Sequence, residues 1–235
     1  MRKIIFKYSI ELIVIIVSIL ISFSLESARQ SSIEKELKNK IITRLVSVIN
    51  EDIKQIDGFI YLQNYSLNSC NKLFQNLSGD YNMSNDSIMY HISSVSRALR
   101  SFFPQGSVFN QLVSSDLIKM IESEELTRKL FKLYNEDLKR HDVHTKEFDN
   151  FFLKFNYSLS ENYFLQDNWS NLPTDSNPIR IHSYRFNEEY YKSNRMFSDI
   201  IESKTSIIQY LQELNVLRKS FSTLKDLCVD ELSIN

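Results

Sequence analysis

The stretch Leu12–Leu25 runs fourteen residues without a charge. It constrains the chain more than any other, because it is the only segment that could cross a bilayer. A spanning helix needs about 20 mostly apolar residues. Extension back to Ile4 supplies twenty-two, roughly 33 Å of helix. The extension takes in Lys7, which can snorkel to the headgroups, and Glu11, which is costly in hydrocarbon unless interfacial, paired or protonated. The two are spaced i and i+4, so they can pair on one helix face. A cleaved signal peptide is the rival reading. Glu11 does not suit an h-region, however, and Ser22-Phe23-Ser24 is a poor cleavage site with no Ala-x-Ala after it. The stretch is therefore read as an anchor over residues 8–25, after a short tail 1–7 and before a domain of 26–235.

Orientation follows from lysine and arginine density. Arg2, Lys3 and Lys7 crowd the tail, whereas Arg29, Lys35, Lys38 and Lys40 are spread over a longer flank. Long domains are exported largely regardless of charge. The expectation is a single-pass protein of a bacterial inner membrane, amino terminus in the cytoplasm and domain outside. Ser18-x-x-x-Ser22 is a small-xxx-small pattern that lets helices approach closely. With Glu11 it marks a candidate packing face, pointing to a homodimer or a membrane-protein partner beside the lipid bilayer itself.

Tyr8, Glu11 and the triplet Ile19-Leu20-Ile21 carry a resemblance. The anchor resembles the opening of a family of small bacterial single-pass membrane proteins of unknown function. Their pattern runs Tyr-x-x-Gly-Glu-Ile, an aliphatic run, Ile-Gly-Ile-Leu-Ile-Ala and often Asn-x-Trp. Ser18 and Ser22 stand where that family has its small Gly and Ala; Ile10 replaces its first Gly, and Glu26-Ser27-Ala28 its Asn-x-Trp. A second stretch is similar too, with Phe109, Leu112, Ser114-Ser115, Leu117, Ile121, Glu125-Leu126 and Leu130 to Tyr134. The resemblance implies a topology and no activity.

Downstream, glycine and proline number three each among 235 residues, so long helices are favoured over strands. Ile33, Leu37, Ile41, Leu45, Val48, Ile49, Ile53, Ile56 and Ile60 alternate by three and four, the spacing of one apolar helix face and of a coiled coil. This predicts a helix over 31–78, continuous with the anchor and ended at Gly79-Asp80. A second helix is expected from Ser84 or Asn85 to Phe103, then two short helical turns over 108–121. A long helix capped by Ser123 follows, and a final one runs over 187–232. Residues 159–184, with Trp169, Pro173 and Pro178, read as an irregular connection. The fold class is all-α: an anchor helix running into a long helix, which pairs antiparallel with the last one inside a bundle. That pairing is expected to set Leu224 and Leu227 against Ile33 and Leu37, and Ile200 and Ile201 against Ile56 and Ile60.

Little points to chemistry. The net charge of −1 gives no basic face for nucleic acid. There is no phosphate loop and no nucleophile elbow. His141 and His144 have a spacing that could place two metal ligands on one helix face, but His91 and His182 are not recognisably placed to complete a site, so solvated surface histidines are the expectation. The adjacent pairs Glu124-Glu125 and Glu188-Glu189 diverge on a helix and make no acid–base couple. Cys70 and Cys228 are too few for a disulfide framework; one bridge or two separate thiols both remain open. Phe148, Phe151, Phe152, Phe155 and Tyr157, with Tyr190-Tyr191, suit core packing or the wall of a pocket between helices. No catalytic, cofactor or metal residue is assigned. The expected function is a membrane-tethered, non-enzymatic interaction or sensing module. The alternatives are a structural envelope scaffold and an enzyme with a site near 159–184.

Overall fold

The computed structural model describes residues 2–168 and 179–233, with side chains from residue 11 onward. The fold is all-α, with one small β-hairpin. Helix α1 (Arg2–Leu77) is unbroken over 76 residues, so the apolar stretch and the following amphipathic stretch are one rod. Gly79 ends it: its φ of +82° is a left-handed value that glycine adopts without steric cost. The Asp80 and Tyr81 N–H groups then turn back onto the Gln75 carbonyl.

Helix α2 (Asn85–Ser96) starts at Ser84, whose hydroxyl accepts the Ser87 N–H, and stops seven residues short of the expected Phe103. From Leu99 to Gly106 the chain is irregular. The Gln63 side-chain amide donates to the carbonyls of Ala98 and Arg100, and Phe103 is kept from helical backbone by Pro104. Helix α3 (Ser107–Ser114) and a 3₁₀ turn (Leu117–Met120) follow. Ser123 caps α4 (Glu124–Lys132) through the Leu126 N–H, as its sequence predicts. A π-turn over Leu133–Asp137 joins α4 to α5 (Leu138–Asn162).

The connection expected over 159–184 is in part regular. Helix α5 continues to Asn162, and β1 (Phe164–Asp167) pairs antiparallel with β2 (Ile181–Arg185). Asp167 is buried in an ion pair with Arg97 at 3.1 Å, which ties the hairpin to the end of α2. Trp169, Pro173 and Pro178 lie outside the described residues. The last expected helix is divided: α6 (Glu188–Tyr191) is one turn, and Ser193 restarts the chain as α7 (Asn194–Ser233) by accepting the Met196 N–H.

Helices α1 and α7 are antiparallel partners, but the register differs from expectation by about three turns. Lys38 meets Glu231, Asp57 meets Arg218 at 2.5 Å, and Phe74 stacks on Phe197. Ile200 is therefore fully buried near the far end of α1 and not beside Ile56. Ile33 and Leu37 remain 46% and 45% exposed, because α7 ends level with Lys38. The core runs from Ile41 up α1 through Ile56 to Leu73. Around it pack Ile92 of α2, Phe102 of the irregular segment, Phe152 and Phe155 of α5, and Leu214 and Phe221 of α7.

Candidate functional site

The helix α5 stripe Leu138, His141, Thr145, Phe148, Phe152, Phe155 and Leu159 is buried throughout. This three-and-four spacing delivers a histidine to the core. His141 is 2% exposed, which overturns the expectation of a solvated surface residue. Arg140 and Asp142 beside it lie on the opposite, exposed arc. The aromatic run divides the same way. Phe148, Phe152 and Phe155 are core, whereas Tyr157 is 67% exposed.

The imidazole of His141 has three neighbours. Its Nδ1 lies 3.1 Å from Glu213 Oε1 on α7. Its Nε2 lies 3.2 Å from the Phe102 carbonyl and 3.2 Å from the Thr145 hydroxyl. A neutral ring with its proton on Nδ1 donates to Glu213 and accepts from Thr145; a second proton would face the Phe102 carbonyl. The other Glu213 oxygen lies 3.4 Å from His144 Nδ1, so the two histidines of the His-x-x-His spacing do converge, on one carboxylate. The Tyr210 ring stacks on those of His141 and Phe148, and its hydroxyl accepts the Phe102 N–H. Burial pushes the Tyr210 phenol well up from its ordinary value, so it stays a neutral hydroxyl.

Above this group, α5 and α7 border a cleft of about 680 Å³ lined by Arg140, His144, Glu147, Phe151, Glu202 and Glu213 among others. The order hydroxyl, imidazole, carboxylate is that of a nucleophile relay. Thr145, however, is 3% exposed and does not line the cleft, so a solute there meets Glu213 and His144 and not the hydroxyl. What the arrangement does chemically is clamp α5 to α7 and fix the irregular segment carrying Phe102 between them.

The other residues singled out in sequence are dispersed. His91 is half-buried and bonded to Ser69 of α1; His182 is exposed on β2. Among the described residues no group of three or more His, Cys, Asp and Glu is placed to hold a metal ion. Cys70 and Cys228 are separate buried thiols, each pushed by burial up to about 12, so neither is a nucleophile at neutral pH. Glu124-Glu125 and Glu188-Glu189 occupy the first turns of α4 and α6, where acids oppose the helix dipole favourably. Ser18 and Ser22 bond back to the carbonyls of Val14 and Ser18. Their hydroxyls are thus satisfied within α1, and with Glu11 they lie on its exposed surface.

Sequence reasoning passed over Glu213, Thr145 and Tyr210. The heptad-like run through Leu138, Thr145 and Phe148 could have identified His141 as a core position. Nothing local marks Glu213, which follows Gln212 on an ordinary polar face. No family model, curated protein or solved structure matches the chain.

Proposed function

We propose that the chain is a membrane-tethered helical interaction or sensing module without catalytic activity. Its anchor is the apolar part of α1, set in a bacterial cytoplasmic membrane, and residues 26–235 lie outside the cytoplasm. One observation carries the reading. From Leu12 to Leu25 every large apolar side chain is 46–72% exposed, and the most apolar window of α1 buries nothing against the rest of the molecule. Monomers in water rarely expose so large an apolar surface, whereas hydrocarbon is a solvent for it. The anchor's family resemblance agrees with this topology.

The same helix then becomes half of the principal helix pair. Twelve residues lie between Leu25 and Lys38, a rise of about 20 Å from one to the other, and their polar surface is knitted by Glu26–Arg29 and Gln30–Glu34 contacts. A bundle standing clear of the bilayer on a rigid stem suits the recognition of a solute or a neighbouring protein. Glu11, Ser18 and Ser22 offer a face for a second copy or a membrane-protein partner.

Fractionation tests the reading. The full chain should sediment with membranes, resist alkaline carbonate and keep its amino terminus. The pair Ile16→Lys and Leu20→Lys should move it to the soluble fraction with an unchanged melting curve, since neither residue touches the bundle. A parent chain extracted by carbonate, or a mature protein starting near Leu25, would refute the tether.

A further inference from the structure

The unbroken helix α1 carries its far end about 80 Å beyond Leu25. There a recess of about 490 Å³ opens between the last turn of α1, the start of α2 and the chain from Phe186 into α7. Its volume falls within the roughly 300–1,000 Å³ of ligand clefts. Four asparagines line it, Asn76, Asn82, Asn85 and Asn194, together with the rings of Phe186 and Phe197.

One of these asparagines serves the fold. The Asn76 amide donates to the Tyr81 carbonyl and its Oδ1 accepts the Tyr191 hydroxyl, both at 2.7 Å, which fixes the turn after α1 against α6. The others do not. Asn82, Asn85 and Asn194 are exposed, and among the described residues none of their side chains makes a hydrogen bond. Each amide offers donors and an acceptor side by side. Of the lining residues only Glu188 and Lys192 are charged, and they pair with each other at 2.6 Å. A charged ligand thus finds no uncancelled counter-charge. A wholly apolar one would strip water from the amides without replacing its hydrogen bonds, while the aromatic wall calls for some apolar surface. A sugar ring combines the two, with hydroxyls around its edge and C–H groups on its faces.

We propose that this recess binds a neutral saccharide. The amides of Asn82, Asn85 and Asn194 hydrogen-bond its hydroxyls, and a ring face lies against Phe186 or Phe197, both half-buried. The aromatic wall is preformed, with Phe186 packed on Tyr191 at 5.5 Å between ring centroids and Phe197 on Phe74 at 5.6 Å. The ligand sits where α1 ends and α2 and α7 begin, at the tip of the bundle remote from the anchor. Its meaning as an input rests on the sensing reading above, but binding itself needs no membrane.

The test is isothermal titration of the full chain, solubilised in a detergent without a sugar headgroup, with N,N′-diacetylchitobiose, cellobiose and maltose. At least one should bind saturably, and equally well in about 50 mM and about 500 mM sodium chloride, since no net charge takes part. Asn82→Ala and Asn194→Ala should each weaken it about threefold to tenfold while the circular dichroism melt stays cooperative. Asn50→Ala, exposed on α1 outside the recess, should not weaken it. The proposal is overturned if a folded chain binds none of the three up to about 10 mM, if affinity collapses in the higher salt, or if both recess variants bind as tightly as the parent chain. Failure of the tether would appear in fractionation instead.

Discussion

Lys38 and Glu231, 193 residues apart in the chain, meet at 2.9 Å with their side chains 3% and 0% exposed. The same carboxylate also accepts the Glu122 and Ser123 N–H groups at the start of α4. Three elements are thereby joined at the level where the bundle begins. A buried charge pair seldom stabilises a fold over an apolar substitute, yet removing one partner is costly. The pair therefore fixes where α7 stops along α1.

Glu231→Ala should cost about 3–5 kcal/mol, since it strands a buried ammonium and two N–H groups. Burial alone would raise the carboxyl's pKa, but the Glu122 N–H, the Lys38 ammonium and the Ser123 N–H together hold it below the usual range. A depressed folded value means that the stabilisation is complete above about 4.3, the unfolded value, and is lost as pH falls through the folded one. Chemical denaturation at pH 7 and at pH 3 should show the mutational cost shrinking in acid. A cost that does not change with pH would contradict this.

Asp52 should behave in the opposite way. It is 0% exposed, and burial pushes its carboxyl up to about 6, with the Gln105 N–H only partly offsetting this. Its folded value lies above the unfolded one, so stability falls as pH rises between about 4 and 6. Asp52→Asn should leave stability nearly unchanged at pH 4 and raise it by up to about 3 kcal/mol at pH 8. Paired urea titrations at the two pH values check this.

Apolar positions on α1 should divide at Lys38. Ile41 and Leu217 are 2% and 3% exposed, and burial of each side chain is worth about 1.5–3 kcal/mol. Ile41→Asp or Leu217→Asp should melt the bundle or open it to proteases. Lys40→Asp and Ile33→Asp should leave the melting temperature within a few degrees of the parent's. Limited proteolysis of the four variants distinguishes this register from one in which Leu224 reaches Ile33.

That boundary also shows what could be read in advance. The long helices and their antiparallel pairing follow from three-and-four spacing. Yet the apolar stripe passes through Ile33 and Leu37 without a break, and the stop is a polar pair that hydropathy cannot register. The β-hairpin was hidden because Phe164–Asp167 and Ile181–Arg185 are short runs within a polar stretch, and the ion pair of Asp167 with Arg97 that ties them to the bundle links residues 70 apart. His141 was legible and misjudged, because its charged neighbours in sequence obscured its place on the buried stripe. The hydrogen bond from Ser101 to Asp149 had no such signal, since it forms only through the irregular path that Pro104 and Gln63 impose after α2.

The most direct measurement of the tethered architecture is labelling with a membrane-impermeant maleimide on bacterial host cells whose outer layer is permeabilised. Cys70 and Cys228 are buried and should stay silent while the bundle is folded. Val216→Cys, at a position 65% exposed on α7, should label while the cytoplasmic membrane is still sealed. Ile16→Cys, 48% exposed in the isolated chain, should label only after detergent. Labelling of Ile16→Cys as fast as Val216→Cys, or of Val216→Cys only after lysis, would contradict the tether or its orientation respectively.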